Sequence, residues 1–144
     1  MADAKVKKGR TFKSTVTLRG QTGERISVKP LRVLDPVEVG ELNEPKEGFR
    51  YVGVEMRLRN LARRPYRDSP GNGSELVTPA GRQPKSEILV DSNCNTDGSL
   101  TVPRGQSRVT CVAFAVPVGS SPRFFQHTLN SGFGPDMGQW RMPR

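Results

Sequence analysis

Few side chains in this 144-residue chain combine the types and spacing that chemistry requires. The single histidine, His127, stands in Phe124-Phe125-Gln126-His127-Thr128-Leu129, alternating with aromatic residues. A general base needs a group that orients its proton and a nucleophile within reach. No Gly-x-Ser-x-Gly elbow and no Cys–His cue accompanies His127, so it is expected to be structural or exposed, and no catalytic residue is assigned. Cys94 and Cys111 lie 17 positions apart. Neither belongs to a CxxC pair, and with one histidine in the chain they cannot complete a four-ligand zinc site. Two free thiols or one disulfide remain open at this point. Asp91-Ser92-Asn93-Cys94-Asn95-Thr96-Asp97-Gly98 sets oxygen-bearing side chains at alternate positions, as calcium loops do. An EF-hand loop needs Gly at its sixth position and Glu at its twelfth, where this chain has Thr96 and Val102. An Asx-rich turn is expected there, with no metal or other cofactor. Asn72-Gly73-Ser74 matches the glycosylation sequon, but so short a match is frequent by chance, and it reads as a turn.

The remaining candidate chemistry is electrostatic. The formal net charge is +9, and 16 of the 23 basic residues are arginine. Arg57, Arg59, Arg63, Arg64 and Arg67 crowd one segment, whereas Asp35, Glu38, Glu41, Glu44 and Glu47 crowd the loop before it. Such an excess favours polyanions: nucleic acid, anionic headgroups or cell-wall polymers. Sequence-tolerant binding of single strands also needs exposed aromatic platforms. There are nine aromatic residues, and Phe12, Phe114 and Trp140 are expected in the core. No recognition helix or RNP-like pattern accompanies the bases. The expected contact of the arginine cluster is therefore an anionic cell-wall polymer or another protein rather than nucleic acid. Part of the charge lies elsewhere, because residues 1–10 hold Lys5, Lys7, Lys8 and Arg10 against Asp3 and read as a basic disordered tail.

These side chains must be positioned by strands. Phe12, Ser14, Val16 and Leu18 alternate with polar neighbours over residues 11–19, which predicts a strand with one wet face. Gly20-Gln21-Thr22-Gly23 follows as a hairpin turn, and a second strand runs from Glu24 to Leu34. Pro30 places that strand at an edge or a bulge. Residues 35–48 are read as a loop. The clearest strand is Phe49 to Asn60, where Val52, Val54, Met56 and Leu58 share one face. Leu61 to Gly73 is a long connection, and short strands are expected at Glu75–Val77, Ser86–Val90 and Ser99–Val102. Ser107 to Val116 is apolar on both faces, as for a strand covered by one sheet and by a loop on its outer side. Arg123–Leu129 and Gln139–Met142 complete the set. Short strands at turn spacings of about 8–12 residues, with 15 glycines and 12 prolines and no helical periodicity, indicate an all-β chain. The expected fold is an immunoglobulin-like antiparallel β-sandwich of about seven to nine strands, in one domain from residue 11 to 142. No run of 18 apolar residues is present.

Three motifs together resemble a known family. The strand Phe49-Arg50-Tyr51-Val52-Gly53-Val54-Glu55-Met56-Arg57-Leu58-Arg59-Asn60 ends in Asn. The turn Pro103-Arg104-Gly105-Gln106-Ser107 follows, and then a strand closing with Phe114-Ala115-Val116-Pro117. This pattern is similar to the telokin-like bacterial domain of unknown function, which occurs in secreted and lipid-anchored Gram-positive proteins and is related to the mycobacterial immunoprotective extracellular antigens. The resemblance covers most of residues 11–142 and implies an immunoglobulin-like sandwich outside the membrane with no established catalysis. Actinobacterial members often carry cysteines before the Pro-x-Gly turn and at the start of the Phe-x-Val-Pro strand. Cys94 and Cys111 match those positions, so the resemblance implies a disulfide between them; Gly132-Phe133-Gly134 and Trp140 also look like that subgroup. The leader, lipobox cysteine and Ser/Gly-rich linker typical of such proteins are missing, and the expectation is an ectodomain separated from its signal or anchor, the only route by which it would meet a membrane. The expected function is a non-enzymatic extracytoplasmic binding or structural module at an actinobacterial cell surface, of unknown ligand. The alternative is a small basic nucleic-acid-binding or intracellular regulatory protein.

Overall fold

In the computed structural model, which describes residues 4–81 and 84–143, two sheets enclose one dry layer. The first sheet is built around the two longest strands. Arg25–Leu34 (β3), Phe49–Asn60 (β4) and Ser107–Pro117 (β9) are flanked by Val16–Arg19 (β2) and Ser86–Glu87 (β7), in the order β2-β3-β4-β9-β7. The second sheet joins Lys5–Lys8 (β1), Asp136–Arg141 (β11), Phe124–Thr128 (β10) and Ser74–Val77 (β6), in the order β1-β11-β10-β6. Tyr66–Asp68 (β5) and Leu100–Val102 (β8) form a separate two-stranded ribbon. The pairs are antiparallel except β1 with β11, which run parallel. The chain is thus an immunoglobulin-like β-sandwich.

Period-two patterning explains the layer. Val52, Val54, Met56 and Leu58 of β4 are fully buried, as are Val112, Phe114 and Val116 of β9 and Ile26 and Val28 of β3. From the opposite sheet Leu76, Phe125 and Trp140 meet them. Phe125 stacks on Trp140 at 5.7 Å and meets Phe114 edge-on at 6.4 Å, an arrangement that aromatic quadrupoles favour. Pro30 lies past the last β2 partner of β3, at a register shift between Pro30 and Arg32, where its missing N–H costs no ladder bond to β2.

A second, smaller core lies on the outer face of the first sheet. Val37 and Leu89, from the segments before β4 and after β7, pack with Cys94, Cys111 and Ala113. Cys94 and Cys111 form a disulfide there, which ties the covering loops to β9. This cover explains why β9 is apolar on both faces. Close approach of the cover is possible because β4 carries Gly53: a Cβ at that position would stand 2.9 Å from both Cys94 Sγ and Val37 Cγ2.

Three expectations need correction. Residues 5–8 are not a disordered tail, because Lys5–Lys8 pairs with Asp136–Gln139. With Val6 alone supplying an apolar position, the segment has no alternation to read, and partner chemistry decides it. Lys7 Nζ lies 3.1 Å from Asp136 Oδ2 and donates to the Thr17 carbonyl at 3.2 Å. Residues 11–15 alternate but do not pair; a turn closes there, with Ser14 N–H donating to the Thr11 carbonyl at 3.2 Å. Phe12 is still buried, and Trp140 Nε1 donates to the Ser14 carbonyl at 2.8 Å. Tyr66–Asp68 is a strand within the segment read as connection, and with β1 it brings the described strands to eleven.

Candidate anion-binding face

Only half of the outer face of the first sheet lies under the covering loops. On the other half β4 presents Arg57 and Arg59, both exposed. The register places Lys29 and Val109 on either side of Arg57, and Ser27 and Ser107 on either side of Arg59. Directly opposed residues on neighbouring strands have Cβ atoms about 4.5–5.5 Å apart, and like charges so placed oppose folding. Lys29 and Arg57 are such a pair. One step along, Arg32 sits opposite Glu55 and is paired with it at 3.3 Å, which closes the cationic strip on that side. Among the described residues no carboxylate forms an ion pair with Lys29, Arg57 or Arg59.

The strip continues at the strand ends. A cleft of about 480 Å³ between the Thr22–Arg25 hairpin and the Asn60–Tyr66 segment is lined by Arg25, Arg63 and Arg64. Asn60, fully buried, shapes the loop by donating from Nδ2 to the Arg64 and Val102 carbonyls at 2.8 and 3.0 Å. Arg64 in turn donates to the Thr22 carbonyl at 2.8 Å. Glu24 lines the same cleft, but its carboxylate is occupied by Thr22 and by Asn130 Nδ2. The structure therefore brings Arg57 and Arg59 onto one open sheet face and Arg63 and Arg64 to its margin. Arg67 lies elsewhere: it is on the β5–β8 ribbon, where its Nε reaches Thr101 Oγ1 at 3.4 Å. Sequence reasoning missed Lys29 and Arg25, which join the cluster only through strand pairing across the sheet.

The acidic loop has a counterpart role. Glu38, Glu41, Glu44 and Glu47 are exposed on or beside the cover, so the outer face is negative over its covered half and positive over its open half. Asp35 is taken up by Arg50, whose Nε and Nη2 meet its two oxygens at 2.7 and 3.2 Å. In the Asp91–Gly98 segment three side-chain oxygens face protein donors: Asn93 Oδ1 accepts Glu38 N–H at 2.9 Å, Ser92 Oγ accepts Cys94 N–H at 3.0 Å, and Asp97 Oδ2 accepts Thr110 Oγ1 at 2.9 Å, while Thr96 Oγ1 is buried without a partner.

His127 is fully buried on β10. Its Nδ1 lies 2.8 Å from Ser74 Oγ, and that hydroxyl donates to the Pro70 carbonyl at 2.8 Å. The imidazole therefore carries its proton on Nδ1 and donates to Ser74, while Nε2 is buried without a partner. Burial pushes its pKa down to about 4, against the opposing pull of the Asp68 charge. The Ser74–His127 contact is sealed from solvent and braces β6 against β10. Nearby, Asp68 accepts the Tyr66 hydroxyl, the Ser69 amide at 2.8 Å, and both the amide and hydroxyl of Ser131 at 2.8 and 3.0 Å. Burial, then the Asp68 charge, raises the Tyr66 phenol far above its ordinary range. This cluster holds Asn130 and Ser131 in left-handed backbone at φ 56° and 54°. Across the sandwich, Arg19 and Lys7 hold the buried Asp136 carboxylate well below the usual range, the Arg19 hydrogen bonds counting most.

No protein-family model matches the chain, and no curated protein matches it in sequence. Solved structures do match it in shape. The secreted protein MPT63 of Mycobacterium tuberculosis superposes with a TM-score of 0.64 at 14% identity, covering 98% of this chain and 99% of that one. A candidate lipoprotein, YcdA of Bacillus subtilis, gives 0.65 at 13% identity over 89% of this chain, which spans only 38% of that protein. An uncharacterised β-sandwich protein of Clostridium difficile gives 0.59 at 8% identity over 99% and 98% of the two chains. The fold is shared; the sequence is not.

Proposed function

We propose that this domain is a non-enzymatic extracytoplasmic binding module that holds an anionic cell-surface polymer on the open half of its first sheet. The observation that carries the reading is the cross-strand juxtaposition of Lys29 and Arg57, beside Arg59, with no carboxylate paired to them among the described residues. Like charges directly opposed cost stability unless a counter-charge is supplied from outside. A polymer with repeated phosphates or carboxylates supplies it, and the acidic cover restricts such a chain to the open half. The Cys94–Cys111 disulfide fits an oxidising compartment, and two of the structural neighbours are by name a secreted protein and a candidate lipoprotein. The resemblance to the telokin-like domain supports the same placement.

The test is retention on immobilised poly(glycerol phosphate) across a salt gradient. The native chain is expected to elute at clearly higher salt than the Arg57→Ala/Arg59→Ala double variant, because exposed charge pairing is screened within about 10 Å at 0.1 M salt. Equal elution of the two proteins overturns the reading. So does a preference for single- or double-stranded DNA over the polymer with a steep salt slope, which would favour a nucleic-acid-binding protein.

A further inference from the structure

A second cationic feature lies away from this face, where the end of β11 meets the segment leading into β10. There a cleft of about 670 Å³ is lined by Arg123 and Arg141 together with Pro122, Phe124 and Met142. Its volume falls in the range of about 300–1,000 Å³ typical of small-molecule sites. One wall is rigid. Arg50 is held by Asp35 and also donates to the Pro117, Val118 and Ser120 carbonyls at 2.7, 3.1 and 2.9 Å, so its charge is neutralised and its donors are occupied. Arg123 and Arg141 are different. Both are exposed, and among the described residues neither has a carboxylate partner. Arg141 is set in place by the Phe124 ring, with its guanidinium carbon 5.7 Å from the centroid, a cation–π contact that leaves its edge donors free. Two guanidinium forks on one cleft suit a phosphate or carboxylate head.

The cleft is continuous with an apolar one. Val33 and Pro143 line both it and an adjoining cleft of about 470 Å³ whose wall includes Phe12. Lys13 and Arg32 stand at the rim of this second cleft, and Arg32 is already paired with Glu55. We propose that the two clefts form one site for an anionic amphiphile, with the acidic head between Arg123 and Arg141 and a hydrocarbon chain laid over Val33, Pro143 and the Phe12 edge. This site is independent of the polymer face and does not rest on it.

Decyl phosphate below its micellar concentration is the probe, followed by amide chemical-shift perturbation and calorimetry on the full chain. Saturable binding is expected, with shifts centred on Val33, Arg123, Phe124 and Arg141. The Arg123→Ala/Arg141→Ala double variant is expected to bind at least tenfold more weakly, while Arg57→Ala/Arg59→Ala binds as the native chain does. Both altered pairs are exposed, and an unchanged amide spectrum outside the substituted strands verifies the fold. Inorganic phosphate and decyl maltoside are each expected to bind at least tenfold more weakly than decyl phosphate. Equal binding of inorganic phosphate overturns the hydrocarbon half of the site, and equal binding of decyl maltoside overturns the ionic half. Phosphatidylglycerol vesicles separate the sources of the ligand: binding of the monomer without the vesicles supports uptake of single molecules, whereas binding of vesicles alone overturns the cleft as the site.

Discussion

Removal of the Cys94–Cys111 bond tests both the covering loops and the compartment argument. The bond closes a loop across a sequence separation of 17 residues. In the chain-entropy treatment, releasing a loop of that length returns about 3 kcal/mol of conformational freedom to the unfolded chain. For a domain of this size that corresponds to a fall in melting temperature of about 10 °C. The loss is not spread evenly through the native state. Val37 and Leu89 pack against the two cysteines and Ala113 in the smaller core, whereas the main layer of Phe114, Phe125 and Trp140 makes no use of the bond. A Cys94→Ala/Cys111→Ala variant, or native protein under reductant, is therefore expected to lose about 3 kcal/mol in urea unfolding. Amide exchange should accelerate at Val37, Gly40 and Asn93, whose N–H groups donate to Tyr51, Asp91 and Glu38 carbonyls, and β10–β11 should exchange no faster except through global unfolding. A stability unchanged to within about 1 kcal/mol, or exchange accelerated equally across both sheets, refutes the reasoning. A thiol count of zero on unreduced, denatured protein is the accompanying expectation; two thiols would remove the argument for an oxidising compartment.

The buried imidazole makes stability pH-dependent. His127 titrates near 6.5 in the unfolded chain but at about 4 when folded, so the unfolded state binds the extra proton between those values. Its contribution is neutral above pH 6.5, and stability falls by about 1.4 kcal/mol per pH unit toward pH 4, for a total of roughly 3 kcal/mol. In a His127→Gln variant that part of the slope in a urea-unfolding series should vanish; an unchanged slope between pH 6.5 and 4 would place its origin elsewhere. Gly53→Val drives a side chain into Cys94 Sγ and Val37 Cγ2. Overpacking of this kind costs about 1–3 kcal/mol, and here it should free the cover, read as faster exchange at Val37 and Asn93 with β10–β11 unaffected; a cover that exchanges as in the native chain would contradict the close approach.

How much of this was legible in the sequence depends on how far apart the interacting residues lie. Alternation within β4 and β9 announces itself over a few residues, because side chains on a strand repeat every second position. The burial of Val52, Val54, Met56 and Leu58, and the loop over the outer face of β9, could both be anticipated from such local pattern. Lys5–Lys8 could not, since a short edge strand with one apolar residue is defined by the Asp136 carboxylate and the β11 backbone it meets. Tyr66 and Asp68 likewise gain their role only from Asn130 and Ser131, more than 60 positions away.

The arginines divide in the same way. Composition established that the chain carries an excess of cations, and the order of residues that its acids and bases occupy separate segments. Which cations act together was decided by the register of β3 on β4, which brings Lys29 to Arg57, and by the ribbon that carries Arg67 away. A charge seen in sequence has a sign but no neighbours. Coulomb energy depends on distance and on what screens it, and folding supplies both.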